Sequence, residues 1–273
     1  MAPETQKSLR LITIPVSHYC EKARWALERA GLAYTEIRHV QFFHYFSTLL
    51  HARSIYAPAL LTPDEAVVDS TDILHFADRY VAPKATLFPE EAELAEPVRR
   101  WEEWFDGVLG VETRRWMYHA CFEQMGDDAI IAFAAQGTPS WQAALMKPFM
   151  PFAKTYTRYR LKVEPPTVDR GLQLVGELFE RVGRELSDGR EYLVGGRFTA
   201  ADLTFASLSA FVLMPPEYTV RFPDIASLPS PMRDVVERFR DTRAGRFALH
   251  LFARERRAQA RECSPSMQSD AHV

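Results

Sequence analysis

A short apolar run, Leu11-Ile-Thr-Ile-Pro15, leads straight into Ser17-His-Tyr-Cys20-Glu-Lys-Ala-Arg24-Trp-Ala-Leu27, and this junction of a strand-like with a helix-like pattern constrains the fold more than any other feature. Cys20, Ala23, Leu27 and Ala30 recur at i, i+3, i+7 and i+10, which predicts a helix over 17–30 with one buried stripe and Gly31 as the residue just past its end. Ser17 stands at its mouth. The first turn of a helix has unpaired N–H groups and a partial positive charge, so an anion such as a thiolate is stabilised there.

Leu9 to Ile14 and Ala33 to Val40 read as strands on either side of that helix, a βαβ unit. An aromatic stretch without clear period follows, Gln41-Phe-Phe-His-Tyr-Phe46 to Tyr56. Two brief apolar strands come next, Ala59 to Leu61 and Ala66 to Val68, and the Thr62-Pro63-Asp64-Glu65 turn makes them a hairpin. Asp69-Ser70-Thr71-Asp72 offers an N-cap cluster, and Ile73, Phe76, Ala77 and Tyr80 supply a helical stripe that must stop before Pro83. From Ala82 to Glu93 two prolines and little periodicity mark a linker. Beyond it everything reads as helix: Leu94, Val98, Trp101, Phe105 and Val108 form one stripe, and Leu172, Val175, Phe179, Val182 and Leu186 another. Thr199-Ala-Ala-Asp202 forms a capping box, with Phe198 stapling onto Leu203, and opens a helix from about Ala200 to Phe211.

Composition narrows the function. With a formal net charge of −3, 47% hydrophobic and 25% charged residues, the chain is globular and lacks the basic excess of a general nucleic-acid binder, so nucleic acid is not expected as a partner. Leu11 to Val16 is too brief for a signal peptide and no run approaches ~20 apolar residues, so neither export nor a membrane partner is expected and the reading is cytoplasmic. Cys20, Cys121 and Cys263 are odd in number and widely spaced, which argues for free thiols. The eight histidines fall into no metal-ligand spacing, so no metal is expected.

Ser17 at the first helix, Ala57-Pro58 before the hairpin, Asp69-Ser70 opening the next helix and Thr199-x-x-Asp202 far downstream occur in an order that resembles the cytosolic glutathione transferases of serine type. The resemblance implies an α/β thioredoxin-like N-terminal domain with a mixed four-stranded sheet (1–82), a linker (83–93), an all-α C-terminal domain (94–258) and a flexible tail (259–273). It fades over Glu112 to Pro166, which is longer than compact members need.

What the resemblance implies for function is conjugation of glutathione, as co-substrate, to an electrophilic small molecule by a homodimer. Ser17 matches the hydroxyl that points at the glutathione sulfur; with the helix terminus it would lower a thiol pKa from ~8.5 by one or two units, ~1.4 to 2.7 kcal/mol. Pro58 matches a cis-proline that turns the backbone of Ala57 towards the cysteinyl part, and Asp69 and Ser70 match the pair that holds the γ-glutamyl end. Arg53, His51 and His44 are the candidates for the glycine carboxylate. Tyr19, Phe43, Arg115, Trp116 and Tyr118 are assigned to the co-substrate pocket, where Arg114 and Arg115 beside aromatic rings suit an anionic or aromatic molecule. Ser17-x-x-Cys20 also has redox-motif spacing, which leaves a glutathione-dependent thiol-disulfide oxidoreductase or dehalogenase, or a non-catalytic binding module, as alternatives; Cys20 itself falls on the apolar stripe. Arg24 is expected to form a surface ion pair.

Overall fold

The computed structural model describes residues 9–256; Cys263 and the tail expected at 259–273 lie outside the described residues. β1 (Arg10–Thr13), α1 (His18–Arg29) and β2 (Thr35–Arg38) make the βαβ unit, with β2 parallel to β1 and Ile12 opposite Ile37. β3 (Ala59–Leu61) and β4 (Ala66–Val68) form the hairpin, whose turn is closed by the Thr62 hydroxyl accepting the N–H groups of Asp64 and Glu65. The four strands lie in the order β2-β1-β3-β4, and α3 (Ser70–Asp78) follows. The sheet is therefore mixed. Its register sets Ile12 against Ala59, and Ala59 against Val68.

The aromatic stretch contains a helix that its pattern does not announce, α2 (His44–Ala52). The reason is an inverted face: His44 and Thr48 are buried while Phe46 and Leu50 are 80% and 76% exposed, so apolar periodicity points away from the core. α2 covers one face of the sheet, where Ile12, Ala59 and Leu61 form a small cluster with Ile37 and Ala52. Trp25 and Leu27 of α1, with Leu11, Leu60 and Ile73, join the main core on the other face.

A 3-10 turn at Pro83–Ala85 separates this half from a wholly helical one. α4 (Ala92–Trp104) passes through a π-helical turn, Phe105–Leu109, into α5 (Gly110–Gln124); then come α6 (Asp127–Ala134), α7 (Ser140–Leu161), α8 (Pro165–Glu185), α9 (Ala200–Leu213), α10 (Ser230–Arg240) and α11 (Arg243–Leu251). α9 is buried along its whole length and packs on α1, α4, α5, α10 and α11. Its start is held by the capping box: Asp202 Oδ2 accepts from Thr199 N at 2.9 Å, and Asp202 Oδ1 takes Leu193 N at 2.8 Å.

Arg24 departs from the surface pair expected of it. It is fully buried, donating through Nε to Glu36 at 2.7 Å, through Nη1 to Glu21 at 3.2 Å and through Nη2 to the Pro15 carbonyl at 3.2 Å. A guanidinium withdrawn from water needs several acceptors at once, and the strand–helix loop supplies one of them. Cys20 and Cys121 are both buried free thiols. No helix among the described residues is long and apolar enough to cross a membrane, and none of their His, Cys, Asp and Glu side chains are grouped to hold a metal ion.

Candidate active site

Strand register brings the sequence motifs to one end of the sheet. Ile12, Ala59 and Val68 are aligned neighbours, so the segment leaving β1 towards Ser17, the Ala57-Pro58 approach to β3 and the Asp69-Ser70 exit from β4 all lie at that end. The Ala57-Pro58 peptide bond is cis.

Ser17 is the N-cap of α1, with extended backbone and a hydroxyl oxygen that accepts from Cys20 N at 3.4 Å. Accepting that bond leaves the hydroxyl proton free to be donated elsewhere. The loop just before it is clamped twice, by Arg24 on the Pro15 carbonyl and by Tyr218, whose hydroxyl donates to the Val16 carbonyl at 2.9 Å. Ser17 is thereby placed from both halves of the molecule.

Asp69 caps α3, accepting Thr71 N at 2.8 Å, and does so at φ 94°, a conformation costly for a residue with a Cβ. Ser70 follows at the first helical position. Its side chain is buried, yet its Oγ has no hydrogen-bond partner among the described residues, an arrangement that a polar ligand would complete. Arg53 sits at the exposed end of α2 in the left-handed region and makes no ion pair among the described residues.

Beside Ser17 opens a cavity of about 260 Å³. Ser17 and His18 form one side; Arg114, Met117, Tyr118, Cys121 and Phe122 of α5 another; Ile130 and Phe133 of α6, Thr157 and Leu161 of α7 and Phe211 of α9 complete an apolar interior. His18 stacks on Phe211 with ring centroids 4.4 Å apart. Its Nδ1 accepts from Tyr19 N at 3.1 Å, so Nε2 carries the proton and donates to the Gly110 carbonyl at 2.9 Å. Burial, reinforced by the nearby Arg114 charge, holds His18 down to about 3, and it stays neutral with both nitrogens engaged. It is a wall and not a base. Burial raises the Cys20 thiol and pushes Cys121 up to about 12, so neither is a ready nucleophile.

Of the five side chains assigned to the co-substrate pocket, the structure puts only Tyr118 on this cavity. Tyr19 instead donates to the Asp106 carbonyl at 2.8 Å, and Phe43 packs edge-on against Trp141 with centroids 5.4 Å apart. Arg115 turns away to the Leu161 carbonyl, at 2.8 Å, and to Glu112, while Trp116 is a core residue only 4% exposed. Helical phase accounts for the difference: 114, 117, 118, 121 and 122 share a face, and 115 and 116 do not. The spacing was present in the sequence, but α5 is apolar or aromatic on several sides and offered no way to tell which face meets a cavity. Arg114, noted in the sequence beside Arg115, does line the cavity, whereas Gln41, which bonds the Tyr118 hydroxyl, and the buried His18 and Tyr218 carry no signal that marks them there.

Residues 11–84 match the family model described as glutathione S-transferase, N-terminal domain, and residues 141–228 the one described as glutathione S-transferase, C-terminal domain. No curated protein matches in sequence. Solved structures of similar fold include a glutathione transferase from Phanerochaete chrysosporium with oxidized glutathione, at 15% identity and a TM-score of 0.55, covering 96% of this chain and 99% of that one. Another is a glutathione S-transferase from Methylobacillus flagellatus with glutathione bound, at 18% identity and a TM-score of 0.51, covering 88% and 98%.

Proposed function

The chain belongs to the glutathione S-transferase family, and on that premise we propose that it binds glutathione, keeps its sulfur anionic and conjugates it to an electrophilic small molecule. The observation that carries this reading is the buried, unpartnered hydroxyl of Ser70 at the start of α3, on the same sheet end as Ser17 and its cavity.

In this reading the γ-glutamyl carboxylate takes the Ser70 hydroxyl and the first-turn N–H groups of α3, and Asp69 receives the ammonium. The Ala57 backbone next to Pro58 pairs with the cysteinyl unit, and Arg53 is the cation proposed for the glycine end. The Ser17 hydroxyl donates a hydrogen bond to the sulfur, and the α1 terminus adds its partial charge; together they favour thiolate over thiol, the thiol proton passing to solvent. The thiolate lone pair then forms a carbon–sulfur bond to the electrophile held in the apolar cavity, and the leaving group departs with the electrons of its bond. Exclusion of water by Phe211, Leu161 and Met117 strengthens the anion's interactions. The reading carries with it a cytoplasmic homodimer, which gel filtration with light scattering tests. Cys20, sealed in the core with a raised thiol, lends no support to the oxidoreductase alternative.

The experiment is a titration with glutathione while thiolate absorbance is followed, in wild type and in Ser17→Ala. Wild type should gain thiolate signal at neutral pH and the variant should bind with much less of it. Binding in wild type without thiolate leaves only a non-catalytic module, and absence of binding overturns the reading altogether.

A further inference from the structure

The cavity beside Ser17 is apolar in body but one-sided in charge. Among the described residues that line it there is no Asp or Glu, whereas Arg114 projects from α5 and Arg160 stands on α7. Arg114 is the unusual one. Its neighbour Arg115 takes up Glu112, and Arg114 itself makes no ion pair among the described residues. Its Nε is buried without a hydrogen-bond partner among the described residues, and its guanidinium lies 5.6 Å from the Tyr19 ring centroid, a contact that satisfies no N–H. A buried guanidinium N–H left without an acceptor is costly unless a ligand provides one.

The other groups that line the cavity do not cancel this charge. His18 is neutral, as argued above, and so is His44, which burial holds at about 4. Tyr118 is spoken for by Gln41. What remains is a cation facing Met117, Phe133, Leu161 and Phe211 across a space of about 260 Å³, enough for one substituted aromatic ring. Guanidinium is also the donor whose planar fork suits a carboxylate.

We propose that Arg114 selects a co-substrate bearing a carboxylate on an apolar, aromatic-sized body, with its electrophilic carbon directed towards Ser17. The inference rests on the reading of this cavity as the co-substrate site, but its test does not require turnover.

Two unreactive probes of matched shape, 4-ethylbenzoate and 4-ethylbenzyl alcohol, are titrated without glutathione against the full chain, with tryptophan fluorescence as readout. In wild type the benzoate should bind more tightly by on the order of ten-fold. In Arg114→Met the ratio should collapse towards one, and in Arg114→Lys it should be partly restored. Equal affinities in wild type, or a ratio unmoved in both variants, overturns the proposal. A glutathione titration that weakens in Arg114→Met while the probe ratio stays put would assign the guanidinium to glutathione, which also overturns it. If benzoate selectivity holds but no conjugation of glutathione to 4-(bromomethyl)benzoate is seen, the transferase reading fails and the anion site stands.

Discussion

The Lys22 ammonium lies 2.5 Å from a carboxylate oxygen of Glu102, with the two side chains 0% and 3% exposed, and the pair joins α1 of the sheet half to α4 of the helical half. Asp106 at 2.7 Å and the Thr71 hydroxyl at 2.9 Å complete the shell around the same nitrogen. Because Thr71 follows Ser70, the network that locks the halves together also fixes the start of α3, where the proposed γ-glutamyl contacts are made.

Removing the cation leaves the buried Glu102 carboxylate unpaired beside that of the half-buried Asp106. Lys22→Met should therefore lower unfolding stability by about 3–5 kcal/mol, read from urea midpoints. Replacing the pair with apolar side chains, Lys22→Met with Glu102→Met, should recover a large part of that loss. A single variant with an unshifted midpoint would show that the pair contributes little.

Ser70→Ala separates ligand binding from folding. The hydroxyl has no partner among the described residues, so its loss should change stability by no more than about 0.5 kcal/mol and in the favourable direction if anything. Glutathione affinity by calorimetry should nevertheless fall by on the order of ten-fold, the worth of a hydrogen bond to a charged group. Unchanged affinity would remove Ser70 from the proposed site.

Much of this architecture is written in local signals. The strand before Ser17, the hairpin around Pro63-Asp64 and the box Thr199-x-x-Asp202 depend on residues a few positions apart, and each appears where its pattern points. α2 was hidden because its apolar residues face outward, and α5 declared a helix without declaring which face would meet a cavity. Arg24 on Pro15 and Tyr218 on Val16 were out of reach for another reason. Their partners are backbone carbonyls, 9 and 202 positions away, and a carbonyl leaves no mark in a sequence. Ser70 was legible as a motif, but its unpaired state is a property of the fold.

Gly110 is small because the two halves meet over it. A Cβ there would come within 2.7 Å of the Tyr19 ring and 3.1 Å of Leu208. Gly110→Ala must push Tyr19 off the Asp106 carbonyl and crowd His18, and should cost about 1–3 kcal/mol in spite of alanine's better helix propensity. Gly176→Ala, in α8 with nothing within 4 Å of the added carbon, provides the contrast and should stabilise by up to about 1 kcal/mol. Equal signs for the two in chemical denaturation would contradict the close approach.

Acid should destabilise this fold through its buried histidines. His18 is held at about 3 and His44 at about 4, against ~6.5 in an unfolded chain. The folded values are the lower ones, so as pH falls below about 6.5 the unfolded state takes up protons that the folded state refuses, and stability is lost with each step down. Each histidine contributes a slope of about 1.4 kcal/mol per pH unit over that window, and the loss ends only when His18 itself protonates near its folded value of about 3. Denaturation midpoints of wild type and His18→Gln between pH 7 and pH 5 provide the test. Glutamine cannot bind a proton, so the variant should be less stable at pH 7, where it lacks the fit between Phe211 and the Gly110 carbonyl, yet should show a shallower decline towards pH 5. Parallel slopes would mean that His18 is charged in the folded protein, and the wall beside Ser17 would then carry a positive charge of its own.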